Sequence, residues 1–472
     1  MRLGDALISV SNGISKKQNR NDEGIPVTRI ETISAENINL NKVGYLAGLS
    51  KSEITKYRLK SGDILFSNIN SDSHLGKTAI YNYTDHVLLH GMNLLLLRPN
   101  TDIITPEYLN YLCKFYRIQG KFVSIAQHAV NQSSINQTKL KNIEIPLAPL
   151  PEQARIVSKI EELFTKLDAG IDAIKKAKLL LKKYRQAVLK AAMDGRPTKD
   201  WRKAHKSELE PASELLDRIK EQRKKGLGAK YKEPPVIDTS ELPDLPEGWV
   251  WATIGQVIGP TNEKIEPSKT QEIAYLGLEH IDKNNGKIIS MGSSKTVKST
   301  KNKFYKGDLL YGKLRPYLNK LYIAEFDGMC STDIMVFSPN KNYSIRYFLY
   351  RFLSMDFVRF ASMNMTGVQH PRIDYDMLSK YLIALPPLLE QEKIIDIVSR
   401  LFSNIDILED SIKKELSKTG TLKNSILKRA FEGKLVPQNQ SDEPAKKLLE
   451  RIESESKLSK VRKEAGKMRK AK

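Results

Sequence analysis

Apolar residues fall mostly three or four apart at Ile156, Ile160, Leu163, Leu167, Ile171, Ile174, Leu181, Tyr184 and Val188. That spacing keeps one face of a 3.6-residue helix apolar and predicts one long α-helix. Ile394, Val398, Leu401, Ile405, Leu408, Ile412, Leu422 and Ile426 predict a second. Pro149 and Pro151 stand where the first helix starts, and Gly195 and Gly433 stand where the two stop. About 43 helical residues at roughly 1.5 Å rise make a rod of around 65 Å. So long an apolar stripe is not stable in water. The two helices are expected to pack on each other as a coiled coil, through Ile156, Ile160, Leu163 and Leu167 and through Ile394, Val398, Leu401 and Ile405. A helical hairpin inside a larger core is the other arrangement the pattern allows. Gly420 costs about 1 kcal/mol relative to Ala, and a local bend is expected there. Lys175, Lys176, Lys182, Lys183 and Arg185 lie off the stripe and read as a solvated face rather than as phosphate contacts.

The two helical segments are copies. Ile145–Gly195 aligns with Ile383–Gly433 without a gap at an offset of 238, with 18 of 51 positions identical. Leu163-Phe164 pairs with Leu401-Phe402 and Asp168 with Asp406. Glu210-Pro-Ala matches Glu443-Pro-Ala downstream. Upstream, Lys60-Ser-Gly-Asp-Ile-Leu-Phe66 resembles Tyr305-Lys-Gly-Asp-Leu-Leu-Tyr311, and Leu3-Gly4 can be set against Ile254-Gly255. A duplicated frame with divergent interiors suggests two similar tasks on two different targets.

The fold class is therefore α+β: two similar mixed domains, each followed by a long helix. Residues 1–148 form the first domain, with strands at Asp63–Phe66, Thr78–Tyr81 and Leu94–Leu97 and a helix over Pro106–Gly120. Residues 149–195 form the first long helix. Residues 196–247, with Pro234-Pro235, Pro243 and Pro246, read as a linker carrying one short amphipathic helix near Pro211–Lys225 that is expected to dock. Residues 248–386 repeat the domain, with strands near Asp308–Tyr311, Leu321–Ala324 and Ile334–Phe337 and a helix around Ile345–Phe360. Residues 387–433 form the second long helix, and 434–472 a basic tail, lysine-rich over Lys457–Lys472 and expected to be mobile. Gly62-Asp63 and Gly307-Asp308 read as structural turns before a strand.

The formal net charge of +22 suits a polyanionic partner, nucleic acid first. In the first domain Asn68, Asn70, His74 and Lys77, then Gln127, His128, Asn131 and Gln132, lie in polar, turn-rich stretches. In the second the corresponding stretches hold Lys313, Arg315 and Tyr317, then Gln369, His370 and Arg372. Asn and Gln can pair bidentately with adenine and Arg with guanine in the major groove, whereas Lys and Ser more often hold phosphates. Catalytic signals are missing from the sequence. Gly76-Lys77-Thr78 lacks the first glycine of a phosphate loop, and neither Pro-Pro pair has the flanks of an adenine methyltransferase motif. Cys113 and Cys330 read as core residues, with no zinc spacing. No signal peptide and no bilayer-length apolar run occurs, so a cytoplasmic protein without membrane association is expected.

Pro149-Leu-Pro-Glu-Gln153 and Pro387-Leu-Leu-Glu-Gln391, each with its long helix, carry a resemblance together with Leu245-Pro-Glu-Gly-Trp249 and the two Glu-Pro-Ala tails. Over essentially its whole length the chain resembles the specificity subunit of type I restriction–modification enzymes. The resemblance implies two target recognition domains and helices packed antiparallel about a pseudo-two-fold axis. Each domain is then expected to read half of a split double-stranded DNA sequence. Two modification subunits are expected to methylate adenine with S-adenosylmethionine. Restriction subunits are expected to cut with ATP and magnesium, so no cofactor is expected in this chain. One departure is that the first domain opens at Arg2-Leu3-Gly4-Asp5 with no Leu-Pro-Glu-Gly-Trp run, so either that copy is trimmed or the true start lies upstream. A self-contained DNA-modifying enzyme and a coiled-coil adaptor without sequence preference are the rival classes.

Overall fold

The computed structural model describes residues 1–452 and 454, apart from 22, 131, 232, 234–236 and 268–271. The chain divides into two compact units. Unit 1 is Met1–Ile174 together with the chain from Lys414, and unit 2 is Lys175–Lys413. The long helices are Leu150–Met193 and Leu388–Phe431. A compact unit is therefore one globular part plus half of each helix, not one globular part plus its own helix. The second helix is continuous through Gly420.

In unit 1 a four-stranded antiparallel sheet has the order Leu7–Asn12, Leu95–Pro99, Asp63–Phe66, Thr78–Tyr81. The helix Pro106–Ile118 packs on it, capped by Thr105, whose hydroxyl accepts from Tyr108 N. Ile64, Phe66, Leu95 and Leu97 form one core with Leu109, Leu112 and Cys113, and Ile156, Ile160, Leu427 and Ala430 close it from the long helices. In unit 2 the order Leu321–Ile323, Leu309–Gly312, Ile334–Phe337 makes the corresponding sheet. A five-stranded mixed sheet is added beside it, and Val250–Thr253 pairs with Leu382–Leu385. The expected helix over 345–360 is two helices, Ile345–Leu353 and Met355–Met363. Ser354 between them takes an extended backbone, and its hydroxyl donates to Arg351 O.

The frame is duplicated down to single hydrogen bonds. Gly62 (φ +88°) and Gly307 (φ +97°) make the same left-handed turn, a conformation that favours glycine. The next residue's carboxylate accepts from the N–H three residues back: Asp63 from Lys60 N at 2.7 Å and Asp308 from Tyr305 N at 2.8 Å. Gln153 Oε1 accepts from Thr105 N at 2.9 Å, and Gln391 Oε1 from Ser344 N at 3.0 Å. Each fully buried glutamine thus satisfies a free N–H at the start of the domain helix and ties that helix to the long one. Both long helices end in the same double-bonded cap. Arg196 N reaches Ala191 O and Lys434 N reaches Arg429 O, around the left-handed Gly195 and Gly433.

The helices run antiparallel in each unit and are clasped by equivalent residues. In unit 2 Arg185 donates to Asp406 at 2.7 Å and stacks on Phe402. In unit 1 Lys423 donates to Asp168 at 2.6 Å and lies over Phe164. Arg185 is therefore buried in the helix pair, not on a solvated face. Ile156, Ile160, Ile394, Val398 and Ile405 are buried, in cores they share with the globular parts. Leu163, Leu167 and Leu401 are half-buried. Tyr184, Leu408 and Leu422, expected in the stripe, stand about half exposed. Two helices cover only a narrow seam, and these residues lie beside it.

The short amphipathic helix expected within 196–247 is Ala212–Leu227, and it docks: Leu215, Leu216 and Ile219 join the core of unit 2, and Ala212 is buried. Pro234-Pro235 lie outside the described residues. One further expectation needs correcting: 434–452 is packed rather than a tail. Leu448 is buried, Leu435, Val436 and Ile452 are partly buried, and Asp442 pairs with Arg155 at 2.5 Å. Lys457–Lys472 lie outside the described residues. Cys113 and Cys330 are buried, and burial pushes both thiols up to about 12.

Candidate nucleic-acid interface

In unit 1 the two polar stretches become one small sheet, with Ile69–Asn70 beside Gln132–Ser134 and the latter beside Gln127–Ala129. Asn70, Gln127, His128 and Gln132 are thereby brought together; the last three are exposed. Asn70 Nδ2 donates to Ser67 Oγ at 3.1 Å. Ser133, opposite His128, donates to Asp72 at 2.5 Å and bonds His128 Nδ1 at 2.8 Å. Asp72 and Ser133 were not singled out from the sequence, because their pairing depends on two segments about sixty residues apart. Asn68 is buried, its Nδ2 donating to Ile135 O at 3.3 Å, so it braces the loop from within. His74 is exposed, and Lys77 reaches Ser34 O at 2.7 Å. Asn131 lies outside the described residues.

Unit 2 joins its stretches in the same way. Leu314 bridges Arg372, as Ile69 pairs with Ser134. Arg315 N donates to Pro371 O at 2.7 Å and Ile373 N to Lys313 O at 3.1 Å. Thr366 and Arg372 exchange two backbone bonds, closing a hairpin that carries exposed Gln369 and His370. Val368 at its tip is fully exposed, as is most of Val130, its counterpart in unit 1. Lys313, Arg315, Gln369, His370 and Arg372 thus share one ridge, with Tyr317 45 % exposed beside it. Arg372 is held by Asp333 at 2.9 Å, a partner the sequence did not reveal. Arg315 is exposed and left-handed (φ +51°), which costs a non-glycine residue about 1–2 kcal/mol. Strain of that kind concentrates at functional positions.

No group of three or more His, Cys, Asp or Glu placed to hold a metal occurs among the described residues, and none of their helices is long and apolar enough to cross a membrane.

Two α+β domains built on one repeated frame, each presenting an exposed polar ridge, define a duplicated protein. The family model described as the type I restriction modification DNA specificity domain matches residues 1–178 and 246–418, and the chain belongs to that family. Its members are non-catalytic recognition subunits. Over 179 residues it is 50 % identical to a putative type I restriction enzyme MjaX specificity subunit of Methanocaldococcus jannaschii, a match covering 37 % of this chain and 42 % of that one. Over 368 residues it is 29 % identical to the type I restriction enzyme EcoDI specificity subunit of Escherichia coli, covering 75 % and 79 %. The fold is similar to that of the solved HsdS subunit from Thermoanaerobacter tengcongensis, with TM-score 0.52 at 17 % identity over 92 % of this chain and 96 % of that one. A chain solved in work on assembly and conformational transition of the type I R-M system gives TM-score 0.61 at 17 % identity, over 92 % and 97 %.

Proposed function

We propose that the chain reads a bipartite double-stranded DNA sequence, one half through each ridge, on behalf of a cytoplasmic type I complex. The observation that carries this is the equivalent loop pairing, Ile69 with Ser134 and Leu314 with Arg372, dressed with different side chains. A common frame presents Asn70, Gln127, His128 and Gln132 in one unit and Lys313, Arg315, Gln369 and His370 in the other. Amide side chains suit adenine and Arg315 suits guanine, so the two ridges read different half-sites. The net charge of +22 supplies the sequence-independent attraction. Modification subunits bring S-adenosylmethionine and the adenine methylation chemistry; restriction subunits bring ATP, magnesium and cleavage. Exposed Leu179, Leu180, Ile407 and Leu408 offer these partners apolar contact on the helices.

The test reconstitutes the chain with its modification subunit and maps methylated adenines. Arg315→Ala or Gln369→Ala is expected to relax one half-site only, at a cost of about 1–3 kcal/mol. Affinity should fall with salt by a log slope of about 0.9 per phosphate contact. An equal loss at every sequence, or methyl transfer by the chain alone, overturns the reading.

A further inference from the structure

In unit 1 one side chain of the exposed ridge is held by two others. His128 pairs across the hairpin with Ser133, in the ladder of Gln127–Ala129 and Gln132–Ser134. Ser133 is buried, whereas His128 and Asp72 are exposed. Ser133 Oγ lies 2.5 Å from Asp72 Oδ1 and 2.8 Å from His128 Nδ1, and that ring nitrogen is 3.6 Å from Asp72 Oδ1. Among the described residues no hydrogen bond reaches His128 Nε2.

Donor and acceptor rules fix the direction of this relay. An ionised carboxylate only accepts, so the single hydroxyl proton of Ser133 goes to Asp72. Toward His128 the same oxygen can then only accept, and Nδ1 carries the ring proton. In the neutral ring Nε2 is left as a bare acceptor. The relay is not part of the frame. In unit 2 Pro371 takes the place of Ser133, two residues before Ile373 as Ser133 is before Ile135, and the hairpin still closes through the Thr366–Arg372 bonds. Asp72 also sets a negative charge on a surface that faces phosphates, which weakens DNA binding unless the carboxylate serves the contact itself.

We infer that Asp72 and Ser133 are positioning residues that fix His128 as an acceptor, and that unit 1 reads an exocyclic base amine through His128 Nε2: adenine N6 or cytosine N4 in the major groove. The inference rests on the DNA reading already proposed for this chain. Every base pair offers the major groove one such amine and one purine N7 acceptor. A ring held the other way round, or protonated, donates from Nε2 and meets N7 or a base oxygen instead. The direction of the relay thus decides which edge of the pair is read.

The full chain with its modification subunit is used to map methylated sites for the parent and for His128→Ala, and the base pair that relaxes is the one the ring meets. At that pair, at about pH 8, binding is compared for duplexes lacking the amine (purine for adenine, 2-pyrimidinone for cytosine) or lacking N7 (a 7-deazapurine). The parent should bind the amine-free duplex about five- to tenfold more weakly and the deaza duplex within about twofold. Ser133→Ala and Asp72→Ala should each shrink the amine penalty below about threefold and leave the half-site of unit 2 unchanged. Asp72→Ala, which removes a negative charge, should lose this preference without losing overall affinity, an outcome that a merely loosened hairpin does not give. No relaxed position with His128→Ala, a larger penalty for losing N7 than for losing the amine, or an amine penalty that survives Ser133→Ala overturns the inference. Arg315→Ala is mapped alongside: if it still relaxes its own half-site, only the role of His128 has failed, and if neither variant alters the methylated sequence, the DNA reading itself has failed.

Discussion

Replacing Glu390 with leucine removes the group around which one corner of unit 2 is organised. The carboxylate is fully buried and accepts from Thr198 Oγ1 at 2.6 Å, Arg202 Nη2 at 2.8 Å, Arg202 Nε at 3.0 Å and Trp249 Nε1 at 2.8 Å. Its loss leaves the Arg202 guanidinium, 12 % exposed, without its counter-charge. Breaking a buried pair on one side costs about 3–5 kcal/mol. The indole N–H stranded alongside places the effect toward the upper end. Trp201, Trp249 and Trp251 are the protein's three tryptophans and all belong to unit 2, so their emission follows the unfolding of that unit in urea. With a slope of roughly 3 kcal/mol per molar, the midpoint should fall by about 1–1.7 M. The double replacement Arg202→Met with Glu390→Leu discards both charges and should recover most of the loss, to within about 1–2 kcal/mol of the parent. A single-variant shift below about 0.3 M, or a double variant less stable than the single, would refute the reasoning.

Arg185→Ala should destabilise unit 2 by about 1–2 kcal/mol, because it removes a buried guanidinium from Asp406 and Phe402 while Asp406 keeps its ion pair with Lys287; Lys423→Ala, its more exposed counterpart, should cost unit 1 no more than about 1 kcal/mol. Separate melts followed by tryptophan emission and by far-ultraviolet dichroism distinguish the two. Gln153→Leu and Gln391→Leu each leave a partly buried N–H without an acceptor and should cost about 1 kcal/mol in their own unit, read as a lower denaturation midpoint. Burial lowers the His90 imidazole to about 4, so the unfolded chain binds the proton first as the solution is acidified. Its contribution, about 3 kcal/mol, is whole above pH 6.5 and is lost as pH falls from 6.5 to 4. His90→Gln should flatten stability over that window in an acid titration.

The frame was legible in the sequence because it is built from local, periodic signals. Ile334–Phe337 and Asp63–Phe66 are apolar runs bounded by turns, and both are strands where expected. The paired Gly-Asp turns and the glycine helix stops were visible because only glycine suits their left-handed backbone. What stayed hidden depends on chain segments far apart. Arg185 looked solvent-facing by helical position alone; only the antiparallel partner puts Asp406 and Phe402 against it. Asn68 looked like a loop reader until Ile135 closed over it. The burial of Ala212–Leu227 was foreshadowed by its amphipathic pattern, but no pattern named the core that receives it.

The division of both long helices between the compact units bears on how such a gene can be cut and rejoined. A break near residue 232 yields two pieces, neither of which contains a whole unit. The first carries residues 175–193 without the Ile394–Ile405 surface they bury against, and the second carries Leu427 and Ala430 without Ile156 and Ile160. Such pieces should be fragile alone and should reassemble when co-expressed. Exchange of residues 1–148 instead leaves both helices intact, so recombination at that boundary can trade one head for another while the fastening between the strands of the framework is inherited unchanged.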